Sequence, residues 1–175
     1  QKGSSHGLSR IIRYAYDYPQ YVELAKAVYP MWKNIEQEAG EKLYTKTGGI
    51  DFGAPDAPGI QKIIATLNET GIAHEILSVA ETHKRYPQFH LPDDMTVLFQ
   101  EDAGILSASK CVLAHLRLAE QHGAVLKPNT PITGIKAVHD SVEVMTADTI
   151  YKAPKMVITA GSWAKSFLAT LGLNL

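Results

Sequence analysis

Residues 106–127, LSASKCVLAHLRLAEQHGAVLK, hold the pattern on which the fold class turns. Ser107 precedes apolar residues recurring at helical steps, with Val112, Leu116 and Ala119 inward and Gly123 as the stop, so 107–123 reads as a capped helix. The apolar run 124–127 follows at once as a short strand, and helix then strand looks like half of a crossover unit. Downstream, 132–138, 142–145 and 150–153 read as three strands joined by polar turns at His139-Asp140 and Asp148-Thr149. A strand over 156–159 meets the turn Ala160-Gly161, and Trp163, Phe167, Leu168 and Leu171 mark a last helix.

Upstream, Tyr21, Leu24, Ala25, Val28, Trp32 and Ile35 trace an amphipathic helix that ends near Gly40, with Pro30 expected to kink or split it. Residues 43–52 alternate weakly around Gly48-Gly49 and predict two short strands or one bent strand. Pro58 opens and Gly71 closes a helix with Ile60, Ile63, Ile64 and Leu67 on one face. Residues 74–77 read as a strand, Ser78 and Glu81 as a capping box before a short helix, and 95–100 as another strand. Helices and hairpins so mixed predict an α+β fold, a mixed sheet with helices and some parallel pairing where helices separate strands.

The chain has 175 residues, 45% apolar and 20% charged, with 17 basic and 18 acidic side chains. A formal charge of −1 supplies no broad field to hold nucleic acid or an anionic membrane. At roughly 150 residues per domain the length fits one domain, or one and part of another. The single cysteine, Cys111, excludes an internal disulfide and a structural zinc site. No apolar run approaches the ~18 residues of a membrane helix, so the expectation is a soluble, cytoplasmic protein. The chain divides into a loop and helix over 1–40, strands and helices over 41–106, and a segment over 107–175 that holds the three-strand insert.

Four motifs bear on chemistry. Gly3-Ser4-Ser5-His6-Gly7 fits the G-x-S-x-G of a hydrolase elbow, but that elbow needs a strand ahead of it and only Gln1 and Lys2 precede it. His115 and His122 lie two helical turns apart with no carboxylate at a third ligand position, so no metal is expected. Arg10 and Arg13 would share a face on a helical turn, and each can hold a carboxylate through charge-assisted bonds worth about 1.5–3 kcal/mol. Two solvated surface arginines are the alternative that spacing leaves open. Ala160-Gly161-Ser162-Trp163 is either an anion-binding helix start or a plain connection. No G-x-G-x-x-G and no P-loop occurs anywhere.

The run Gly3-Ser4-Ser5-His6-Gly7-Leu8-Ser9-Arg10-Ile11-Ile12-Arg13, followed by Ala15-Tyr16, closely resembles a segment of the monomeric sarcosine oxidase and N-methyl-L-tryptophan oxidase family. That family lies within the D-amino-acid-oxidase-like flavoenzymes. Residues 45–49, Arg85-Tyr86-Pro87, Leu91-Pro92-Asp93-Asp94, Phe99 with 102–104, Thr130-Pro131-Ile132 and 156–163 keep the family's order, so the resemblance spans essentially the whole chain. It implies an FAD enzyme that oxidises a secondary amine on a small amino acid to an imine and reduces oxygen to hydrogen peroxide. It also implies a substrate-domain half with part of a Rossmann-like FAD-binding domain. By matched position Arg13 corresponds to the arginine that clamps the substrate carboxylate, Arg10 to the arginine beside the flavin ring, and His6 to an active-site histidine near that ring. Gly3, Ser4, Ser5 and Ile11 match flavin-contacting loop positions, Ile132 the backbone at the adenine end, and Gly161 and Trp163 a second passage beside the cofactor. Ser5 stands where close relatives carry histidine, and Leu8 where they carry aspartate.

The family's dinucleotide loop, flavin-linking cysteine and oxygen-activating lysine have no counterpart here. Cys111 lies on a predicted helix and reads as a packed thiol. The chain therefore reads as the middle portion of a flavoenzyme, with apolar faces near 156–159 or 168–175 left as a patch or covered by another copy. Two rivals stand beside this reading. One is a related flavoenzyme such as a glycine oxidase, a D-amino-acid dehydrogenase or a sarcosine oxidase subunit. The other is a non-catalytic module whose arginines bind an acidic partner. Without a pyrophosphate loop the isolated chain should bind FAD weakly or not at all, so titration should leave free-flavin fluorescence unquenched; tight stoichiometric quenching would overturn this.

Overall fold

The computed structural model describes Gly3, residues 7–170 and Gly172, the side chains of Ser166 and Thr170 excepted; the expectations resting on Ser4, Ser5, His6 and Leu171 lie outside the described residues. Two compact units result, one over Gly7–Gln121 and one joining Gln1–His6 to His122–Leu175.

In the first unit, strand β1 (Ser9–Ile12) leads to helix α1 (Pro19–Ala39), strands β2 (Tyr44–Lys46) and β3 (Gly49–Gly53), and helix α2 (Pro58–Glu69). Strand β4 (Glu75–Leu77), helix α3 (Val79–Arg85), strands β5 (Thr96–Gln100) and β6 (Gly104–Ser107) and helix α4 (Ala108–Gln121) complete it. Two antiparallel sheets form, ordered β1-β6-β2 and β3-β5-β4. Their join is a bent ribbon: β2 runs into β3 as β5 runs into β6, and the N–H groups of Thr47 and Gly48 both donate to the Ala103 carbonyl. Gly48 has φ 71°, a left-handed conformation that glycine adopts without strain. Weak alternation around Gly48-Gly49 thus becomes two strands in two different sheets.

Helix α2 follows its apolar spacing, while on α1 Tyr21, Leu24 and Val28 of the expected stripe are exposed, which corrects the reading of that face. Pro19 sits in the first turn of α1, and Gly40 ends it at φ 63°. The helix is not split at Pro30. Val22 is buried, and Tyr29, Trp32 and Ile35 pack against buried core residues, which outweighs the one backbone bond a proline forfeits. The Glu36 carboxylate accepts from the N–H groups of Leu43 (2.6 Å) and Tyr44 (2.8 Å), pinning β2 to α1. Only half of the expected capping box forms on α3. Ser78 Oγ accepts from the Glu81 N–H at 3.1 Å, while the Glu81 carboxylate takes Arg85 Nε at 2.7 Å instead. On α4 the inward face is Ala108, Cys111, Ala114 and Leu118; Leu116 is exposed and Val112 and Ala119 are half-buried, which corrects the predicted face. Burial pushes the Cys111 thiol pKa up, as a packed thiol requires.

Three core clusters result. Ile12, Leu43, Leu106, Cys111 and Ala114 lie between the first sheet and the helices. Ala15, Ile60, Leu67 and Leu98 fill one face of the second sheet under α2. Leu77, Val97 and Phe99 fill the other face with Ile50, Val79 and Tyr86. Strand β5 is therefore buried on both sides, which explains its unbroken apolar run.

The second unit holds a three-stranded antiparallel sheet, β7 (Gly134–Val138), β8 (Ser141–Met145) and β9 (Ile150–Ala153), then a 3-10 turn (Gly161–Trp163) and helix α5 (Ala164–Thr170). Residues 124–127 and 156–159 were expected as strands, yet neither pairs with another strand among the described residues. A strand is a paired object, and apolar sequence alone does not make one. Every ladder described is antiparallel, so the expected parallel pairing is absent among these residues, while the α+β character holds. Val157 is 85% exposed, leaving part of the predicted apolar patch bare. No helix among the described residues is long and apolar enough to cross a membrane.

The close approach in the first sheet is testable. A Cβ on Gly104 would meet the Thr45 carbonyl oxygen and sit 2.6 Å from the Tyr44 ring, whereas nothing lies within 4 Å of one on Gly59. Gly104→Ala should lower stability by about 1–3 kcal/mol, the usual range for overpacking. Gly59→Ala should leave it unchanged or raise it by up to about 1 kcal/mol. Urea midpoints of both variants against the parent measure this.

Candidate functional site

Residues 9–12 are extended, not helical, so the shared helical face expected for Arg10 and Arg13 does not exist. Arg10 is exposed on β1, and its Nη1 donates to the Ser9 carbonyl at 2.7 Å. Gly7, at φ 117°, lies against it: a Cβ there would stand 3.3 Å from Arg10 Nη1. Ile11 is 72% exposed on the opposite side of the strand.

Arg13 leaves the end of β1 and reaches the second sheet. Its Nη1 donates to Asp51 Oδ1 at 2.6 Å, and its guanidinium lies 5.5 Å from the centroid of the Tyr16 ring. Two contacts from different elements thus hold one cation, the second a cation–π contact. Asp51 pairs with Leu98 across the β3–β5 ladder and Gly49 with Gln100, so Asp51, Leu98 and Gln100 project from one sheet face. Around Asp51 the apolar surroundings prevail: burial raises its carboxyl pKa, and the opposing pull of Arg13, by charge and by hydrogen bond, is the smaller influence. Gln100 is 2% exposed, and neither of its amide atoms has a hydrogen-bond partner among the described residues.

Tyr14, Tyr29 and Tyr44 form an aromatic cluster. Tyr14 stacks on Tyr29 with centroids 4.4 Å apart, and Tyr44 meets Tyr29 edge-on at 5.9 Å. The hydroxyls of Tyr29 and Tyr44 both donate to the Asp102 carbonyl at 2.8 Å. Burial pushes the phenol pKa of Tyr29 well above the ordinary tyrosine range, so it remains a neutral donor. His115 is committed elsewhere, its Nδ1 on the Cys111 carbonyl at 2.7 Å and its ring edge-on to Trp32.

In the second unit the structure brings Gly3 beside Trp163; a Cβ on Gly3 would lie 4.0 Å from the indole. Ile132 and Ala160 line one apolar cavity of about 340 Å³ together with Val157, Ile158 and Phe167. Gly161 follows at φ 54°. Gly161 itself opens the 3-10 turn, and among the described residues the seven-residue helix α5 follows, too short for a helix-dipole anion site. The cavity lining is apolar with no charged side chain, chemistry that suits a flat uncharged ring and not a diphosphate.

Sequence reasoning missed Asp51, Gln100 and the tyrosine group. Arg13 and Asp51 are 38 residues apart, so spacing carries no sign of their pairing. One weak signal existed: Asp51 is an acid between Ile50 and Phe52 in a predicted strand, where charge is depleted.

The whole chain, residues 1–175, matches the family of FAD dependent oxidoreductases, and it belongs to that family. It is 34% identical over 173 residues to a monomeric sarcosine oxidase of Streptomyces avermitilis, covering 98% of this chain and 45% of that protein. To an N-methyl-L-tryptophan oxidase of Yersinia pestis it is 31% identical over 172 residues, covering 98% and 46%. Among solved structures, NikD, an unusual amino acid oxidase essential for nikkomycin biosynthesis, superposes with a TM-score of 0.88 at 25% identity, over 97% of this chain and 44% of that one. Glycine oxidase from Geobacillus kaustophilus shares the fold, with a TM-score of 0.83 at 20% identity over 99% and 50%. The chain spans less than half the length of the curated relatives it matches.

The raised carboxyl of Asp51 has a signed consequence for stability. The folded state holds the Asp51 proton more tightly than the unfolded chain, so this residue's contribution falls as pH rises from the ordinary aspartate range, about 3.9, through the raised folded value. Asp51→Asn lacks that dependence and should gain on the parent across the window, then hold a constant lead. Urea midpoints of both proteins from pH 3.5 to 7 decide it; a parent that gains on the variant as pH rises refutes the sign.

Proposed function

We propose that the protein containing this chain, a member of the FAD dependent oxidoreductase family, oxidises the secondary amine of a small N-substituted amino acid to an imine, with reduction of oxygen to hydrogen peroxide. The observation that carries the reading is Arg13. It is a part-exposed guanidinium held at a fixed place by Asp51 and Tyr16, at the position that resemblance gives to the substrate-carboxylate arginine. A relative named for sarcosine, and another named for N-methyl-L-tryptophan, support an N-methylated amino acid as substrate.

Arg13 binds the substrate carboxylate, and that anchor fixes which carbon beside the amine is presented for oxidation. Its two supports are already in place before substrate arrives, so little side-chain ordering remains to oppose binding. When bound, FAD supplies a two-electron acceptor for the hydride that leaves the carbon as the amine electron pair forms the C=N bond. By the resemblance, His6, Arg10 and Ile11, and likewise Gly3, Ser4 and Ser5, match positions that contact the flavin. The apolar cavity beside Ile132 and Ala160, with Gly161 and Trp163 nearby, suits the adenine end.

Exposed arginines on a flat surface would favour an acidic-partner module instead. Arg13 is already engaged by an acid and by a ring face, which disfavours that reading. The full-length holoenzyme, supplied with sarcosine in oxygenated buffer, should release hydrogen peroxide. Arg13→Met should lower kcat/KM about ten- to hundred-fold, as loss of a charge-assisted contact predicts. Absence of peroxide from sarcosine, N-methyl-L-tryptophan and glycine alike, or an Arg13 variant with full activity, would refute the proposal.

A further inference from the structure

The ion pair between Arg13 and Asp51 is joined at one point. Nη1 meets Oδ1 at 2.6 Å, and no second bond links the two groups or engages Asp51 Oδ2 among the described residues. A guanidinium and a carboxylate that close on each other make two parallel bonds and leave little for a third party. The other guanidinium N–H groups of Arg13 and the second carboxylate oxygen of Asp51 are therefore not committed to this bond. Neither side chain is sealed off, with 36% of Arg13 and 22% of Asp51 exposed. On the same sheet face Leu98 lies opposite Asp51 and the buried amide of Gln100 follows two residues on, with Tyr16 beneath the guanidinium.

Such a pair carries no net charge. A plain carboxylate that approaches Arg13 also approaches the Asp51 carboxylate and is repelled by it. A ligand that bears a cation next to its carboxylate meets an opposite charge at both ends. In an α-amino acid the ammonium and carboxylate are attached to one carbon, the short separation that an adjacent donor and acceptor require.

We propose that Asp51 is a specificity-determining residue of this site, selecting ligands whose carboxylate is accompanied by a cationic amine over plain carboxylate anions. This rests on the reading of Arg13 as the carboxylate clamp and adds the second half of the recognition. It concerns binding, before the amine gives up its proton. Burial costs this carboxylate more than Arg13 returns, as its raised pKa records, and a cationic ligand group would supply the missing compensation. An acid kept at such a cost is what a functional site tolerates and a purely structural position does not.

Two probes of one shape isolate the cationic charge: glycine betaine, which carries a quaternary ammonium, and 3,3-dimethylbutanoate, the anion in which a neutral carbon replaces the ammonium nitrogen. Titration of both into the full-length holoenzyme by calorimetry should show betaine bound at least ten-fold more tightly. Asp51→Asn keeps an oxygen acceptor for Arg13 but removes the charge, and it should shrink that ratio to about two-fold or less by strengthening the butanoate and weakening betaine. Asp51→Glu should keep the preference, and Arg13→Met should weaken both ligands. Equal affinities in the parent overturn the proposal without recourse to any variant. A ratio unchanged by Asp51→Asn, with both ligands weakened by Arg13→Met, overturns it while the carboxylate clamp stands. If Arg13→Met weakens neither ligand, the clamp itself is wrong and the proposal falls with it.

Discussion

The first unit depends on a close approach of backbones where its two sheets meet. Gly104 lies between β1 and β2, and the Thr45 carbonyl and Tyr44 ring occupy the space a Cβ would need. A Cβ on Gly49 would likewise stand 2.6 Å from that of Ala103. Because these positions carry no side chain, the ribbon can bend there and pass from one sheet into the other. That bend turns β3 and β5 so that one face receives α2 and the segment carrying Arg13, Tyr14 and Ala15, while the other receives α3. The Asp102 carbonyl sits in the same turn, and the two tyrosine hydroxyls that donate to it tie α1 and β2 to the bend. The position of Arg13 over Asp51 is thus a consequence of where two glycines let the chain fold back.

Electrostatics and packing conflict on that face. Leu98, Ile60 and Leu67 make it a core, yet Asp51 and Gln100 project from the same side of the sheet. An unpaired buried amide costs about 1–3 kcal/mol, and a half-buried carboxylate is tolerated only with a cation beside it. Arg13 provides the cation but not full compensation, as the upward shift at Asp51 records. Stability alone would favour apolar residues here. Polar groups set among these apolar neighbours depart from what packing alone would select.

Local pattern made much of this legible. The 3.6-residue spacing of Tyr21 through Ile35 and the left-handed glycine at Gly40 located α1 closely, and the hairpins of the second unit followed from their alternation and polar turns. What failed were statements that depend on partners distant in the chain. Residues 124–127 and 156–159 have strand-like composition but no ladder among the described residues, and composition cannot say whether a partner exists. On α4 two apolar stripes compete, and sequence favoured the one holding Val112 and Leu116. Packing chose Cys111, Ala114 and Leu118, because the small side chains of Cys111 and Ala114 let the helix lie close to Leu43 and Leu106. The candidate site divided the same way: Arg13 was singled out by the resemblance of a contiguous run, whereas Asp51, brought to it by folding, was not.

That division matters for how far a family resemblance reaches. A matched motif fixes the identity of a residue and its place along a strand, but the charge it presents depends on what the fold sets beside it. Arg13 alone would be a receptor for any carboxylate. Arg13 with a singly bonded Asp51 is a neutral dipole, and dipoles discriminate by arrangement of charge where isolated cations discriminate mainly by its sign. An anion gains from one end and loses to the other, so its net attraction is small whatever its shape. A zwitterion gains from both ends only when its charges are spaced as the pair is, which makes geometry part of the selection. The physical difference between this site and a bare arginine therefore lies in one acidic side chain on β3, held in place by the ladder with β5.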